Sequence, residues 1–62
     1  MDKYRDIAHD IRTPLAVIRM STEVALMDKS IPASTRETLQ ETITQLDRIT
    51  ETINRLLAGN PA

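Results

Sequence analysis

Residues 9–15 bring together the side chains of this chain that could do chemistry. His9 is the only histidine, and a neutral imidazole has a ring nitrogen that can act as a nucleophile. Thr13 follows four residues later, so on a helix its hydroxyl shares a face with His9 and leans toward the imidazole. Arg12 places a planar guanidinium, which suits phosphate oxygens, on the adjoining surface. The segment therefore combines a nucleophile, a hydroxyl and an anion-binding group within about one helical turn.

Asp10 and Pro14 complete the segment. Asp10 follows His9 directly and points elsewhere on a helix, yet its carboxylate could still accept a ring proton or orient a group brought in from outside. Pro14 has no amide hydrogen, so the carbonyl of Asp10 loses its intrahelical partner and the helix kinks or loosens there. Since a proline inside a helix costs ~3 kcal/mol, we interpret Pro14 as a hinge.

Each of these residues also has an ordinary structural explanation. A lone surface histidine beside an aspartate is usually only solvated, and a lone arginine such as Arg12 usually forms a solvent-facing ion pair. Thr13 alone is uninformative. Pro14 alone usually marks a helix boundary, which would split the first helix in two. Only the combination favours chemistry.

Two helices and one turn are predicted to position this segment. Apolar or small residues recur in alternating steps of four and three, which is heptad spacing along one helix face. The first set is Tyr4, Ala8, Ile11, Leu15, Ile18, Thr22 and Ala25, and the second is Leu39, Ile43, Leu46, Thr50, Ile53 and Leu57. We expect a first helix at about 2–29, a turn at 30–34 and a second helix at about 35–58.

Local signals mark the ends of the second helix. Pro32 disfavours helix at the residue before it and indicates the turn. Ser34 and Glu37 stand at capping-box spacing. Residues 59–61, Gly-Asn-Pro, form a stop signal.

Size and composition favour association. The 62 residues form at most one small domain, 1–62, and contain no cysteine, which excludes disulfides and cysteine-based zinc sites. The single histidine has no second ligand nearby, so no metal site is expected. Small cores seldom supply more than ~3–5 kcal/mol. We therefore predict an all-α antiparallel helical hairpin that dimerises into a homodimeric four-helix bundle. The pattern alone leaves open a hairpin that packs on another partner.

Charge and hydropathy exclude several partners. The formal net charge is −1 and charges of both signs are interspersed, so no basic stripe is available for nucleic acid or anionic lipid. Tyr4 is the only aromatic residue, which removes base-stacking platforms. The apolar runs are too short to span a membrane, no signal peptide is visible, and the absence of cysteine fits a reducing compartment.

The run His9-Asp10-Ile11-Arg12-Thr13-Pro14-Leu15 resembles the H-box of histidine kinases of the HisKA family. That pattern is His, Glu or Asp, any residue, Arg or Lys, Thr or Ser, Pro, Leu, and every position is matched. The resemblance extends to the apolar helix, the turn and the second amphipathic helix that follow, so it covers nearly the whole chain.

The resemblance implies roles for the residues of the box. His9 would be the phosphoacceptor that attacks the γ-phosphorus of ATP, with Asp10 as base or proton partner. The run from Asp10 to Thr13 also resembles the family's E/D-x-x-T phosphatase signature, in which Thr13 would position a water toward a phosphorylated response regulator. Pro14 would be the bend between kinase and phosphatase states.

The resemblance also implies partners. ATP, with Mg, would be used by a catalytic domain of the same kinase that this chain lacks, since one glycine allows no Gly-rich phosphate loop. The chain should bind no cofactor and should not autophosphorylate alone. His9 would pass its phosphoryl group to an aspartate of a response regulator. The parent protein is expected in a bacterial inner membrane, with this domain in the cytoplasm.

A regulator-docking surface is a further hypothesis. Ala16, Met20, Glu23 and Met27 continue the face of His9 and Thr13 at steps of three and four. Ala16 and Met20 are apolar but lie off the main stripe, and a polarisable methionine suits a transient interface. The alternative, that both pack inside a wide bundle core, remains open.

Two rival functions accompany this interpretation. The first is a non-catalytic helical dimerisation or interaction module, which the core pattern alone cannot distinguish. The second is a monomeric histidine phosphotransfer domain, which needs a longer four-helix chain and a different sequence around its histidine.

Overall fold

The computed structural model describes residues 3–59 as two helices in an antiparallel hairpin. Helix α1 runs over Lys3–Leu26 and helix α2 over Ala33–Leu57, and the described residues contain no strand. The molecule measures 48 × 22 × 10 Å, and its smallest dimension is about the diameter of a single helix. The predicted all-helical hairpin is confirmed. Among the described residues, neither helix is long and apolar enough to cross a bilayer.

The predicted end of the first helix is wrong by three residues, because α1 ends at Leu26 rather than near residue 29. Backbone N–H groups of Met27 and Asp28 bond three residues back, to Val24 and Ala25, and close the last turn. The Asp28 carboxylate then accepts hydrogen bonds from the Ser30 N–H at 2.9 Å and hydroxyl at 2.6 Å. This local turn competes with further helix. The predicted start at residue 2 lies outside the described residues.

The predicted capping box is also wrong. Helix α2 begins at Ala33, two residues earlier than expected, with Pro32 as N-cap at φ −62° and ψ 152°. The Pro32 carbonyl accepts the first helical bond from the Arg36 N–H at 3.0 Å, and no side chain caps the helix. Because the proline ring already holds φ near its helical value, the chain enters the helix before Ser34, which lies inside it.

Arg36 connects the two helices at the turn. Its Nη1 donates to the Leu26 carbonyl at 3.0 Å and its Nη2 to the Asp28 carbonyl at 3.1 Å. Carbonyls at the C-terminal end of a helix have no intrahelical donors, so this guanidinium satisfies two backbone groups that the helix leaves open. At the other end of α2, Gly59 adopts φ 67° and donates its N–H to the Leu56 carbonyl. The glycine stop is confirmed, and residues 60 and 61 lie outside the described residues.

The predicted stripe of α2 faces α1, whereas the stripe of α1 only partly faces α2. Leu46 is buried, and the other five residues of the α2 set are half-buried. On α1, Ala8 and Thr22 are buried and Leu15 is half-buried, but Tyr4, Ile11, Ile18 and Ala25 are exposed. Their places next to α2 are taken by the half-buried Arg12, Arg19 and Leu26. The stripe of α1 is therefore divided between the contact with α2 and the exposed surface.

One side of the hairpin carries a continuous set of exposed apolar residues, whereas Val17, Met20, Val24 and Met27 are exposed elsewhere. Tyr4, Ile7 and Ile11 of α1 and Leu56 of α2 line an apolar hollow of about 140 Å³ between the helices. Ile18 of α1 and Ile49 of α2 continue the same side at helical spacing. We call this the apolar side.

The single hairpin buries too little to be a complete domain. Its accessible surface is 5072 Å², against roughly 4,000 Å² for a compact monomer of this mass. No side chain among the described residues is fully buried. The excess surface is comparable to the ~800 Å² that each partner contributes to a standard interface. A dimeric four-helix bundle, closed along the apolar side, is consistent with this surface.

Replacing Ile18 by aspartate should disrupt the dimer, because a charge would enter the apolar side. We expect light scattering to show loss of the dimer at concentrations where the unaltered chain is dimeric. Val17→Asp is the matched control, since Val17 is 60% exposed against 46% for Ile18 but points away from α2. Equal dimer loss in both variants would contradict the assignment of the apolar side.

Candidate functional site

His9 is exposed on the side of the hairpin opposite the apolar side. It lies in the second turn of α1, and shallow hollows lie on both sides of its imidazole. One hollow, of about 510 Å³, is lined by Arg5, Asp6, His9 and Asp10. The other, of about 280 Å³, is lined by Arg5, His9, Arg12 and Leu57. Both are open, so a group bound to another domain can reach the imidazole from either direction.

Arg12 is placed between His9 and α2. Its side chain is half-buried, and its Nε is buried without a hydrogen-bond partner. It forms no ion pair with any residue in the described part of the chain. The expected solvent-facing ion pair is therefore not formed. The guanidinium instead borders the hollow of His9, where the sequence predicts a phosphate contact.

The hydroxyl of Thr13 points back toward residue 9 but reaches the backbone rather than the ring. Thr13 Oγ1 donates to the His9 carbonyl at 3.1 Å, whereas the sequence predicts that it leans toward the imidazole. This bond to the carbonyl four residues back is common for threonine in helices. Thr22, Thr38 and Thr50 make the same bond, so it is the ordinary geometry of threonine in this chain.

Pro14 lies inside a continuous helix. Helix α1 runs from Lys3 through Pro14 to Leu26, so the alternative of a helix boundary at Pro14 is wrong. The proline supplies no N–H to the carbonyl of Asp10. That carbonyl is one residue beyond the His9 carbonyl, which accepts from Thr13. The hinge role stays a prediction.

Two charged residues near His9, Arg5 and Asp6, were not predicted from the sequence to belong to the site. Asp6 lines the same hollow as Asp10, and Arg5 lines both hollows. Arg5 and Asp6 precede His9 by four and three residues, which is the spacing of neighbours on a helix surface. That spacing could have identified both residues as neighbours of His9 from the sequence.

Comparison with known proteins identifies the family. The sequence profile of the His Kinase A (phospho-acceptor) domain, HisKA, matches residues 4–58. The chain belongs to the HisKA family. Sensor protein CopS of Pseudomonas syringae pv. tomato is 38% identical to this HisKA domain over 52 residues, covering 84% of the chain and 11% of the relative.

Two further relatives are also named as sensor proteins. Sensor protein QseC of Salmonella typhi is 36% identical, and QseC of Escherichia coli (strain K12) is 33% identical, each over 52 residues. Each alignment covers 84% of this chain and 12% of the relative. The chain thus spans about an eighth of the length of these relatives. No solved structure is significantly similar to it.

The family assignment confirms the predicted family and function class. A HisKA domain is a phospho-acceptor domain. The family therefore favours this function over the alternative of a non-catalytic dimerisation module. The roles of His9, Asp10, Arg12, Thr13 and Pro14 stay predictions.

The proposed docking residues of the HisKA domain are exposed. Met20 is 67% exposed, and Ala16 is exposed beside the groove lined by Arg12, Arg19 and Asp47. Neither packs in the core of the hairpin. Both lie on the side of His9, away from the apolar side, so a partner on the apolar side would not cover them.

An ion-pair network crosses between the helices one heptad beyond Arg12. Arg19 Nε contacts Asp47 Oδ1 at 2.8 Å, and its Nη1 contacts Glu23 Oε2 at 2.6 Å. The hydrogen bond from Arg19 lowers the pKa of Asp47 below its ordinary 3.8. The bonds to Asp47 and Glu23 raise the pKa of Arg19. Both paired side chains of the cross-helix contact are about half exposed, 40% and 54%, so the contribution to stability is modest.

Acid should weaken the hairpin partly through Asp47. A carboxyl with a lowered folded-state pKa contributes stability that is present above its unfolded-state pKa and is lost as pH falls through the folded-state value. The free energy of unfolding should therefore fall below pH 3.8, and fall less steeply in Asp47→Asn. Chemical denaturation at fixed protein concentration measures this. Glu37→Gln, which removes an exposed carboxylate elsewhere on α2, is the control, and an equal effect there would contradict the assignment.

Proposed function

We propose that this chain is the phosphoacceptor and dimerisation domain of a two-component sensor histidine kinase, and that His9 carries the phosphoryl group. One observation carries the residue assignment. A phospho-acceptor domain of a histidine kinase needs a histidine, and this chain has a single one. Its exposure and the open hollows around it support access by other domains.

The proposed reaction uses ATP held, with Mg, by the ATP-binding catalytic domain of the same kinase. A ring nitrogen of neutral His9 attacks the γ-phosphorus, the bond from that phosphorus to the bridging oxygen breaks, and ADP leaves. The proton on the other ring nitrogen then becomes acidic and passes to the Asp10 carboxylate, directly or through water. In this step the protein would act as part of a protein-histidine kinase.

The second reaction passes the phosphoryl group to a response regulator. A carboxylate oxygen of the regulator's aspartate attacks the phosphorus, the P–N bond breaks, and the imidazole regains its proton as it leaves. In a separate phosphatase role, Thr13 would hold a water in line with the phosphorus of the regulator's phosphoaspartate. Attack by this water breaks the bond to the aspartate oxygen and releases inorganic phosphate. For that role Thr13 must release the His9 carbonyl, to which its hydroxyl now donates.

The docking surface for the regulator would be the exposed strip of Ala16, Met20, Glu23 and Met27. The strip lies on the same side of α1 as His9. A receiver domain that binds there can therefore bring its aspartate close to the imidazole. Flexible methionines suit an interface that must form and release repeatedly. Dimer formation on the apolar side leaves this strip open. We place the parent kinase in a bacterial inner membrane, with this domain in the cytoplasm.

Phosphorylation of the chain by a separately prepared catalytic domain of its kinase tests the acceptor. With ATP, the unaltered chain should gain an acid-labile, base-stable phosphate, and His9→Gln should gain none, because no other histidine can replace it. Far-UV circular dichroism and the dimer mass control for folding. Equal labelling of the variant, or no label on a folded chain with an active catalytic domain, would overturn the proposal.

The substitution Met20→Asp tests docking. We expect phosphoryl transfer from His9 to the regulator to fall by about tenfold or more, since one buried charge at an interface centre costs upward of ~1.4 kcal/mol. The dimer and the phosphorylation of His9 should be unaffected. Thr44→Asp adds the same charge on the outer face of α2 and should leave transfer intact. If Met20→Asp instead unfolds the chain, Met20 belongs to the bundle core.

A further inference from the structure

The two hollows beside His9 carry opposite charge. We call the one lined by Arg5, Asp6, His9 and Asp10 the acidic hollow, because two carboxylates border it. The one lined by Arg5, His9, Arg12 and Leu57 is the cationic hollow, because guanidinium groups and no carboxylate border it. An incoming dianionic phosphoryl group is repelled by the first and attracted by the second.

Among the described residues the guanidinium of Arg12, like that of the exposed Arg48, has no anionic or carbonyl partner, whereas three other arginines have one. Arg19 pairs with Asp47 and Glu23, Arg55 pairs with Glu51, and Arg36 donates to two backbone carbonyls. Arg12 has no such acceptor among the described residues, and its Nε is buried without a hydrogen bond. A buried donor left unsatisfied is costly and calls for a partner. An anion in the cationic hollow would supply one.

Arg5 places a second positive charge beside His9, on the N-terminal side of the imidazole. Residues 5, 9 and 12 follow at steps of four and three, so they share one face of α1. Arg5 therefore lies one turn before His9 and Arg12 one turn after it, and both line the cationic hollow. Two guanidinium groups that flank the phosphoryl oxygens bind them more strongly than a single cation, because each guanidinium offers several hydrogen-bond donors in a planar fork.

We infer that the phosphoryl group on His9 lies in the cationic hollow and that Arg5 is a second phosphate-binding residue beside Arg12. This inference rests on the proposed function of His9. Asp6 and Asp10 repel the phosphoryl group from the acidic hollow. The ring nitrogen that faces this hollow therefore stays accessible for proton transfer. The site is thus polarised, with phosphate on the α2-facing side and proton transfer on the other.

The two guanidinium groups should lengthen the lifetime of phospho-His9 in mild acid. Hydrolysis of a phosphohistidine in mild acid requires protonation of the phosphoramidate, which makes the imidazole a better leaving group. Nearby positive charges oppose that protonation. Removal of the Arg5 charge should therefore shorten the lifetime of phospho-His9 in mild acid.

The experiment phosphorylates the full chain with phosphoramidate, a small-molecule donor whose P–N bond breaks with release of ammonia. Phosphorus NMR then follows the phosphohistidine signal in mild acid. We expect Arg5→Gln to hydrolyse about threefold to tenfold faster than the unaltered chain, the effect of one unit charge near the dianion. Arg5→Lys should recover part of the lifetime. Lys29→Gln removes the same charge at the turn, far from His9, and should match the unaltered chain.

The outcomes separate this inference from the proposed function. Equal lifetimes of phospho-His9 in Arg5→Gln and Lys29→Gln would overturn the role of Arg5 while leaving His9 as acceptor. Absence of any phosphohistidine signal on the folded, unaltered chain would overturn the proposed function, and the inference with it. Circular dichroism of each variant confirms that the helices are retained, and a change in the phosphorus chemical shift in Arg5→Gln alone adds support that a purely structural role would not give.

Discussion

A hairpin that is one helix thick leaves both sides of its helix contact open to solvent, and the rest of this structure depends on how those two sides are used. One side carries Ile7, Ile11 and Ile18 of α1 with Leu56 of α2, and it is consistent with closure by a second chain. The other side carries His9 and Met20. Because the apolar side and the side of His9 are opposite, association of two chains along the apolar side would leave the histidine uncovered.

The contact between the helices is itself modest, and its composition explains why. Small or polar residues, such as Ala8 and Thr22, occupy the buried positions of α1, and the cross-helix ion pair of Arg19 with Asp47 is half exposed. The threonines of α2 lower its helix propensity, although five of the six donate their hydroxyl to a carbonyl four residues back. A scaffold held by such weak terms can repack between states that differ little in free energy, which is what a switching element needs.

Regular local patterns were predictable from the sequence, and features set by the register between helices were not. The α2 stripe was predicted because Leu46 and its neighbours repeat at heptad spacing. The α1 stripe was predicted, but not that Arg12 and Arg19 share its contact with α2, where their long stems cover the helix although their heads are charged. The capping box failed because Pro32 supplied its own helix start. The pair of Arg19 with Asp47 joins residues 28 apart, and no local pattern indicates such a contact, whereas the motif around His9 is local and was found.

The position of Pro14 connects the two sides of the hairpin. Residues 7, 11, 14 and 18 follow at steps of four and three, so Pro14 shares the face of the isoleucines rather than that of His9. The missing N–H and the crowding ring loosen the helix on the side of the proline, at the carbonyl of Asp10. On the following turn the backbone is held normally, and on the His9 side the carbonyl of residue 9 accepts a second donor from Thr13. The helix therefore lacks a backbone hydrogen bond on the apolar side, whereas the carbonyl beneath the imidazole is bonded. If Pro14 acts as the predicted hinge, a change in how a partner packs against the apolar side would bend α1 at this point and move His9 relative to Met20 without any contact with the reactive side.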